Sequence, residues 1–255
     1  METKVAPAPG LGVPAGDGPT TRPSCARRSW ERANGSDAFL SPAATASLFP
    51  QVAQSTSMAY TRSFEDAVSF HGHRCPGLAL GYRAASVGLE ALDADPSDDE
   101  EVVAVVENDA CGVDGIQVRT GCTFGKGNLR FLDHGKHVYT FYNRATGRGV
   151  RVVSRPDFST ARFDPGFGAL REQVHNGTAS PEERDEYDRR LRAVCDAILG
   201  APADDLFVVT PLEAPLPGAA QIHRSVVCDA CGESVSEHRV VERDGRRLCI
   251  PCAGR

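Results

Sequence analysis

EVVAVVENDACGVDGIQVRTG, residues 101–121, is the stretch on which the fold turns. Its first half holds an unbroken apolar block, Val102–Val106, too short for a helix and rich in β-branched residues. Such a block, within Glu101–Asn108, reads as a strand covered on both faces. Its second half, from Cys111, reads as a helix stopped by Gly121, since glycine closes helices in the left-handed conformation. The stretch thus reads as a buried strand followed by a helix.

The flanks extend this pattern. Ser63 with Asp66 three residues on is a capping-box variant that opens a short helix through about Ser69. Pro76 occupies a favoured first helical position. The helix that it opens carries Leu78, Tyr82, Ala85 and Leu89 along one face until the DADPSDDE turn. Downstream, Asn128–Asp133, His137–Asn143 and Val150–Ser154 read as three strands of a meander. Ser180, Pro181 and Glu183 together mark another helix start. Tyr187, Leu191, Val194, Cys195 and Ile198 share that helix's inner face. Residues 206–214 read as a closing strand, and PLPG as a linker. The expected core domain is 58–217.

Residues 1–57 differ. They hold seven of the 17 prolines and sustain neither a helical nor a strand period, which is the composition of a disordered tail. Met58 stands at the seam, so translation starting there is an alternative in which the tail is not made.

The C-terminal module, 221–255, carries the strongest motif. CDAC (Cys228, Cys231) and CIPC (Cys249, Cys252) are separated by 17 residues, the spacing of a four-thiolate zinc site. With four protein ligands no position is left for water, so this Zn2+ is structural. Six arginines face five acids between 221 and 255, too balanced for a phosphate-binding stripe. Nine cysteines, an odd number, also exclude complete intrachain pairing. A net charge of −6 argues against general nucleic-acid binding. No apolar run is long enough to span a bilayer. A cytoplasmic protein is the expectation.

A second constellation lies in FHGHRCPG, residues 70–77. His71, His73 and Cys75 are three metal-competent side chains in five residues. Cys75 precedes Pro76, and Cys111 precedes the helix of the opening stretch in the same way. Free amides at a helix start favour a thiolate. The two starts are therefore expected to form one thiol-lined pocket, with His71 and His73 entering from an extended loop. A zinc or other transition-metal ion at His71, His73 and Cys75 is one reading. A small thiol- or metal-dependent enzyme with Cys75 or Cys111 as nucleophile and His73 as base is another, and a zinc-finger regulatory protein a weaker third. About 15 Å of helix would separate Cys111 from Cys122, so one ion cannot take both. GCTFGKGN, residues 121–128, fails as a phosphate loop in its spacing and in leading to a strand where a helix is required. It leaves Lys126 as a mobile positive charge.

FHGHRCPGLALGYRAA, ENDACGVDGIQVRTGCTFGKGNL and CDAC…CIPC, in this order, resemble the FmdE family, that of the E subunit of formylmethanofuran dehydrogenase, over roughly residues 64–253. The resemblance implies an α+β fold, a mixed helix and sheet core with a zinc-ribbon or treble-clef-like C-terminal module, and a homodimer. It implies association with molybdenum or tungsten oxidoreductases of formyl or formate chemistry. It also implies a core pocket of metal-binding or thiol character. On this sequence that pocket maps to His71, His73, Cys75, Asn108, Asp109, Cys111, Asp114, Cys122 and Lys126.

Overall fold

The computed structural model describes residues 62–213 and 215–254. The expected disordered tail and the alternative start at Met58 lie outside the described residues. The chain enters with α1 (Phe64–His71). Ser63 and Asp66 cap it reciprocally, side chain to backbone in both directions, which satisfies two otherwise free amides. Gly72, at φ 88°, ends the helix, a backbone that only glycine takes without strain.

The next element is α2 (Pro76–Leu92), with Cys75 as its N-cap. Leu78, Ala85 and Leu89, at the expected inner positions, are buried. After the 93–101 turn comes β1 (Val102–Val106), buried at every residue except Val105. α3 (Gly112–Thr120) is closed by Gly121 in the left-handed region. Then come β2 (Leu129–Phe131), β3 (Val138–Asn143) and β4 (Gly149–Ser154). Two elements carry weaker periodic signals and fall between the expected ones: α4 (Phe167–His175) and the one-turn α6 (Ala203–Leu206). Between them lies α5 (Pro181–Gly200), opened by the Ser180–Glu183 capping box. β5 (Phe207–Leu212) completes the core sheet.

The sheet order is β2-β1-β3-β4-β5, and it corrects the expected meander. β2 does not pair with β3. It lies on the far side of β1, parallel to it, with Ala104 opposite Leu129. β3 pairs antiparallel with the other edge of β1. The reason lies in the residues after β2. Leu132 N–H donates to the Val106 carbonyl and Lys136 N–H to the Glu107 carbonyl, so the chain wraps around the end of β1. The helix α3 supplies the crossover that a parallel pair requires. The mixed α+β class stands.

Helices α2 and α3 pack with almost no gap. A Cβ on Gly81 would lie 2.0 Å from the Gly112 carbonyl oxygen, and one on Gly115 would lie 2.6 Å from the Tyr82 amide nitrogen. Only hydrogen at these positions allows the approach, and it brings the starts of both helices together.

The C-terminal module is built from two hairpins and a final turn of helix. β6 (Ser225–Val227) pairs with β7 (Ser234–Ser236), and β8 (Val240–Arg243) with β9 (Arg246–Cys249). Asp244 and Gly245, both at positive φ, form the hairpin turn between β8 and β9. α7 (Ile250–Ala253) ends it. Among the described residues no helix is long and apolar enough to cross a membrane.

Candidate metal and ligand pocket

Cys75 sits at α2's N-cap with φ −152° and ψ 157°. That extended backbone turns its sulfur onto the first turn, where Leu78 N–H donates to Sγ at 3.3 Å. Cys111 also stands at an N-cap, but its φ of −45° and ψ of −32° are already helical, and its side chain caps nothing. A side chain reaches the free amides only from a non-helical cap residue, so the expected equivalence of the two thiols is corrected. The α2–α3 packing still places the two cysteines together. A Cβ on Gly77 would lie 3.4 Å from Cys111 Cβ, and the Cys111 thiol is near enough to raise the pKa of Cys75.

The two histidines do not enter on an extended loop. His71 is the last residue of α1, and the left-handed Gly72 folds the chain back. The His73 ring then lies tilted at 38° to the His71 ring, with centroids 4.5 Å apart. His71 Nδ1 is 2.6 Å from Asp114 Oδ2 on α3. That carboxylate fixes the ring and leaves Nε2 aimed at Cys75 Sγ, 3.8 Å away. A carboxylate behind one ring nitrogen with the other presented outward is how metal-binding histidines are held.

One ligand atom each from His71, His73 and Cys75 lies within 4.8 Å of the others. Bond lengths of about 2.0–2.1 Å to nitrogen and about 2.3 Å to sulfur put two tetrahedral zinc ligands about 3.6 Å apart. The donor set and its spacing thus fit one transition-metal ion. Burial pushes the Cys75 thiol up to about 11, and Cys111 beside it adds to the rise, against the pull of the Leu78 amide.

Next to this cluster is a cleft of about 490 Å³ lined by His71, Asn108, Asp109, Cys111 and Asp114, with Phe124 and Phe131 at its border. Asn108 is occupied structurally. Its amide donates to the Lys136 carbonyl at 2.7 Å and its oxygen accepts from Ala110 N–H at 3.1 Å. Asp109 is exposed. Phe124 and Phe131 are 60% and 40% exposed. Nothing in the sequence singles them out, because a lone phenylalanine in a loop or short strand carries no period.

Two mapped residues lie elsewhere. Cys122 is buried, and its S–H points at the Val102 carbonyl at 3.3 Å. Burial raises its thiol to about 11, the behaviour of a small core residue. Lys126 is not a mobile charge. Its ammonium donates to the Ser97 and Asp98 carbonyls at 3.4 and 3.0 Å. Asn128 reaches the same turn through the Asp99 carbonyl and the start of β1 through the Val102 carbonyl, both at 2.9 Å. The GKGN segment therefore latches the turn before β1. Cys195 is fully buried on α5.

In the C-terminal module, ligand atoms of Cys228, Cys231, Cys249 and Cys252 lie within 4.8 Å of one another. The Cys231 and Cys249 sulfurs are 3.9 Å apart, close to the separation of about 3.8 Å that tetrahedral Zn–S bonds impose. Backbone amides aimed at Cys228, that of Cys249 foremost, lower its thiol to about 6. Its neighbours, Cys249 first, raise Cys252 to about 12. Four adjacent sulfurs cannot all ionise without a cation among them. The module is a four-cysteine zinc finger.

Known proteins resemble both the core and the finger. A family model described as "FmdE, Molybdenum formylmethanofuran dehydrogenase operon" matches residues 70–208. A second, the prokaryotic dksA/traR C4-type zinc finger, matches residues 223–255. A curated relative from Archaeoglobus fulgidus, named a probable S-adenosyl-L-methionine-binding protein, is 35% identical over 207 residues. The match covers 76% of this chain and 53% of the relative, so the chain spans about half that protein's length. A crystal structure of a tungsten formylmethanofuran dehydrogenase FmdE-like protein from Syntrophus aciditrophicus is similar at 23% identity and a TM-score of 0.49. That likeness covers 78% of this chain and 94% of the other.

Proposed function

The chain belongs to the FmdE family, and on that premise we propose that it is a metal-holding accessory protein of a molybdenum or tungsten enzyme of formyl or formate chemistry. Its core would hold one transition-metal ion, Zn2+ or a softer one, through His71, His73 and Cys75, with Asp114 orienting His71. The observation that carries this reading is the convergence of the three ligand atoms within 4.8 Å. The link to the oxidoreductase is supported by the family's description alone. When bound, the ion would supply a Lewis-acid or thiolate-bound centre beside the cleft. The chain's own residues would orient the ligands and screen the thiol from water.

Metal analysis of the full chain tests it. Zinc-loaded protein should hold about two equivalents per chain, one in the finger and one in the core. The double substitution His73→Ala with Cys75→Ser should lower this to about one, with the finger ion retained. A wild-type content of one that the substitutions leave unchanged would refute the core site.

A second reading makes the same site catalytic or ligand-binding. It is favoured by the adjoining cleft of about 490 Å³, whose phenylalanines could stack on a flat base and whose carboxylates could face a positive centre. The name of the Archaeoglobus relative suggests S-adenosyl-L-methionine as the first compound to try. Calorimetric binding that Phe124→Ala weakens would support it, and no heat of binding at millimolar ligand would remove it.

A further inference from the structure

A different cleft, of about 650 Å³, opens where α2 begins. Pro76, Gly77 and Leu80 form one wall, and residues at the entry to β3, along β4 and in the segments after β4 form the rest. Its polar lining is almost entirely basic: Lys136, His137, Arg151, Arg155 and Arg171. No carboxylate lines it. In a chain of net charge −6, such a gathering is not the average surface.

Two of the five are partly neutralised from outside the cleft. Arg151 is 3.4 Å from Glu107, and Arg155 is 3.0 Å from Asp157. Lys136, His137 and Arg171 form no ion pair or side-chain hydrogen bond among the described residues. The Lys136 backbone is pinned at both ends, its N–H donating to the Glu107 carbonyl and its carbonyl accepting from the Asn108 amide. Its ammonium therefore projects from a fixed point. Ser154 adds a hydroxyl oxygen that is buried and has no hydrogen-bond partner, although Ser154 lines the cleft. A buried hydroxyl left unpaired costs stability, and an acceptor entering the cleft would relieve that cost. The first-turn amide of Leu78 is taken by Cys75, so the side chains supply the attraction.

We propose that this cleft binds a small molecule through a multiply charged oxyanion group, a phosphate or a cluster of carboxylates. Guanidinium groups match such groups bidentately, and Arg171 is free to do so. The volume is that of an ordinary small-ligand pocket. Apolar Leu80, Val153 and Phe158 also line it, giving an uncharged part of the ligand a surface to rest on. The site is distinct from the metal cluster and does not depend on an ion being bound there, although both border the start of α2.

Calorimetry on the full zinc-loaded chain at low salt tests the assignment, with pyrophosphate and citrate as probes. One of the two should bind at one equivalent per chain, and which one does tells phosphate from carboxylate recognition. Arg171→Ala and Lys136→Ala should each weaken that binding about three- to tenfold. Both side chains are exposed and unpaired, so the fold should survive. Arg171→Lys should recover part of the loss, and Arg239→Ala on the finger should change nothing. The proposal is overturned by absence of binding for both probes, by equal binding in all variants, or by preference for a single-stranded oligonucleotide over either probe.

Discussion

Asp114 shows how one residue decides whether a cluster is a site. It lies 43 residues from His71 and meets its Nδ1 at 2.6 Å, so His71 offers Nε2 and no other face to the cysteine. Replacing Asp114 with Asn keeps the shape but removes the charge. Core-metal affinity should then fall about 10- to 100-fold, measured by competition with a chromogenic chelator. The finger ion should be unaffected and serves as an internal reference. Unchanged core affinity would mean that the ring is held by α1 alone. His71, His73 and Cys75 are legible in the sequence because they are neighbours. The carboxylate's part is not, because the contact exists only where α1 packs against α3. The role of Lys126 is hidden for a related reason: a glycine-flanked lysine has the same local signature whether its charge meets a ligand or, as here, two backbone carbonyls.

At the scale of elements, the helices are readable because their ends are written in side chains. The strand order is not, since turn residues give the number of strands and not which edge each one joins. Three predictions belong here. Ser180→Ala removes half of α5's capping box and should cost about 1 kcal/mol in chemical denaturation. Gly81→Ala would force a methyl group to 2.0 Å from the Gly112 carbonyl oxygen. Neither backbone can move alone, so the loss should reach about 1–3 kcal/mol or more. It should also disturb the Cys75–Cys111 contact, which faster alkylation of Cys75 would report.

The third concerns the latched turn before β1. Glu101 accepts from its own amide, the Asp99 amide and the Ser97 hydroxyl, which together lower its carboxyl from 4.5 to about 2. A lowered folded-state pKa gives stability that is present above about 4.5 and lost as pH falls towards about 2. Glu101→Gln should therefore be less stable than the parent at neutral pH, with the gap closing over that acid window. A gap that is independent of pH would show that the turn depends on shape and not on the charge.

At the scale of the whole molecule, the finger and the core differ in what holds them. The core buries one continuous cluster that runs from Phe64 to Phe207. The finger's own cluster is Cys228, Leu248, Cys249 and Ala253, with Val235 and Cys252 against it. Two of those four buried residues are zinc ligands, and so small an apolar cluster cannot offset the ordering of its chain without the ion. The linker between them is held to the core differently again. Arg144 donates to the Pro217 carbonyl at 2.9 Å and the Gly218 carbonyl at 3.2 Å, and Arg130 to the Gly218 carbonyl at 2.6 Å. Cys228→Ser with Cys249→Ser should accordingly release the finger's zinc and abolish hydrogen-exchange protection across residues 225–254. Protection in β1 and β3 should remain, because none of their pairing involves the finger. The linker's Ala220 amide, which donates to Glu100 Oε2 at 3.0 Å, should keep its protection in this variant, and lose it when Glu100→Ala is added. Loss of protection throughout the sheet on removing the finger's zinc alone would show instead that core and finger fold as one unit.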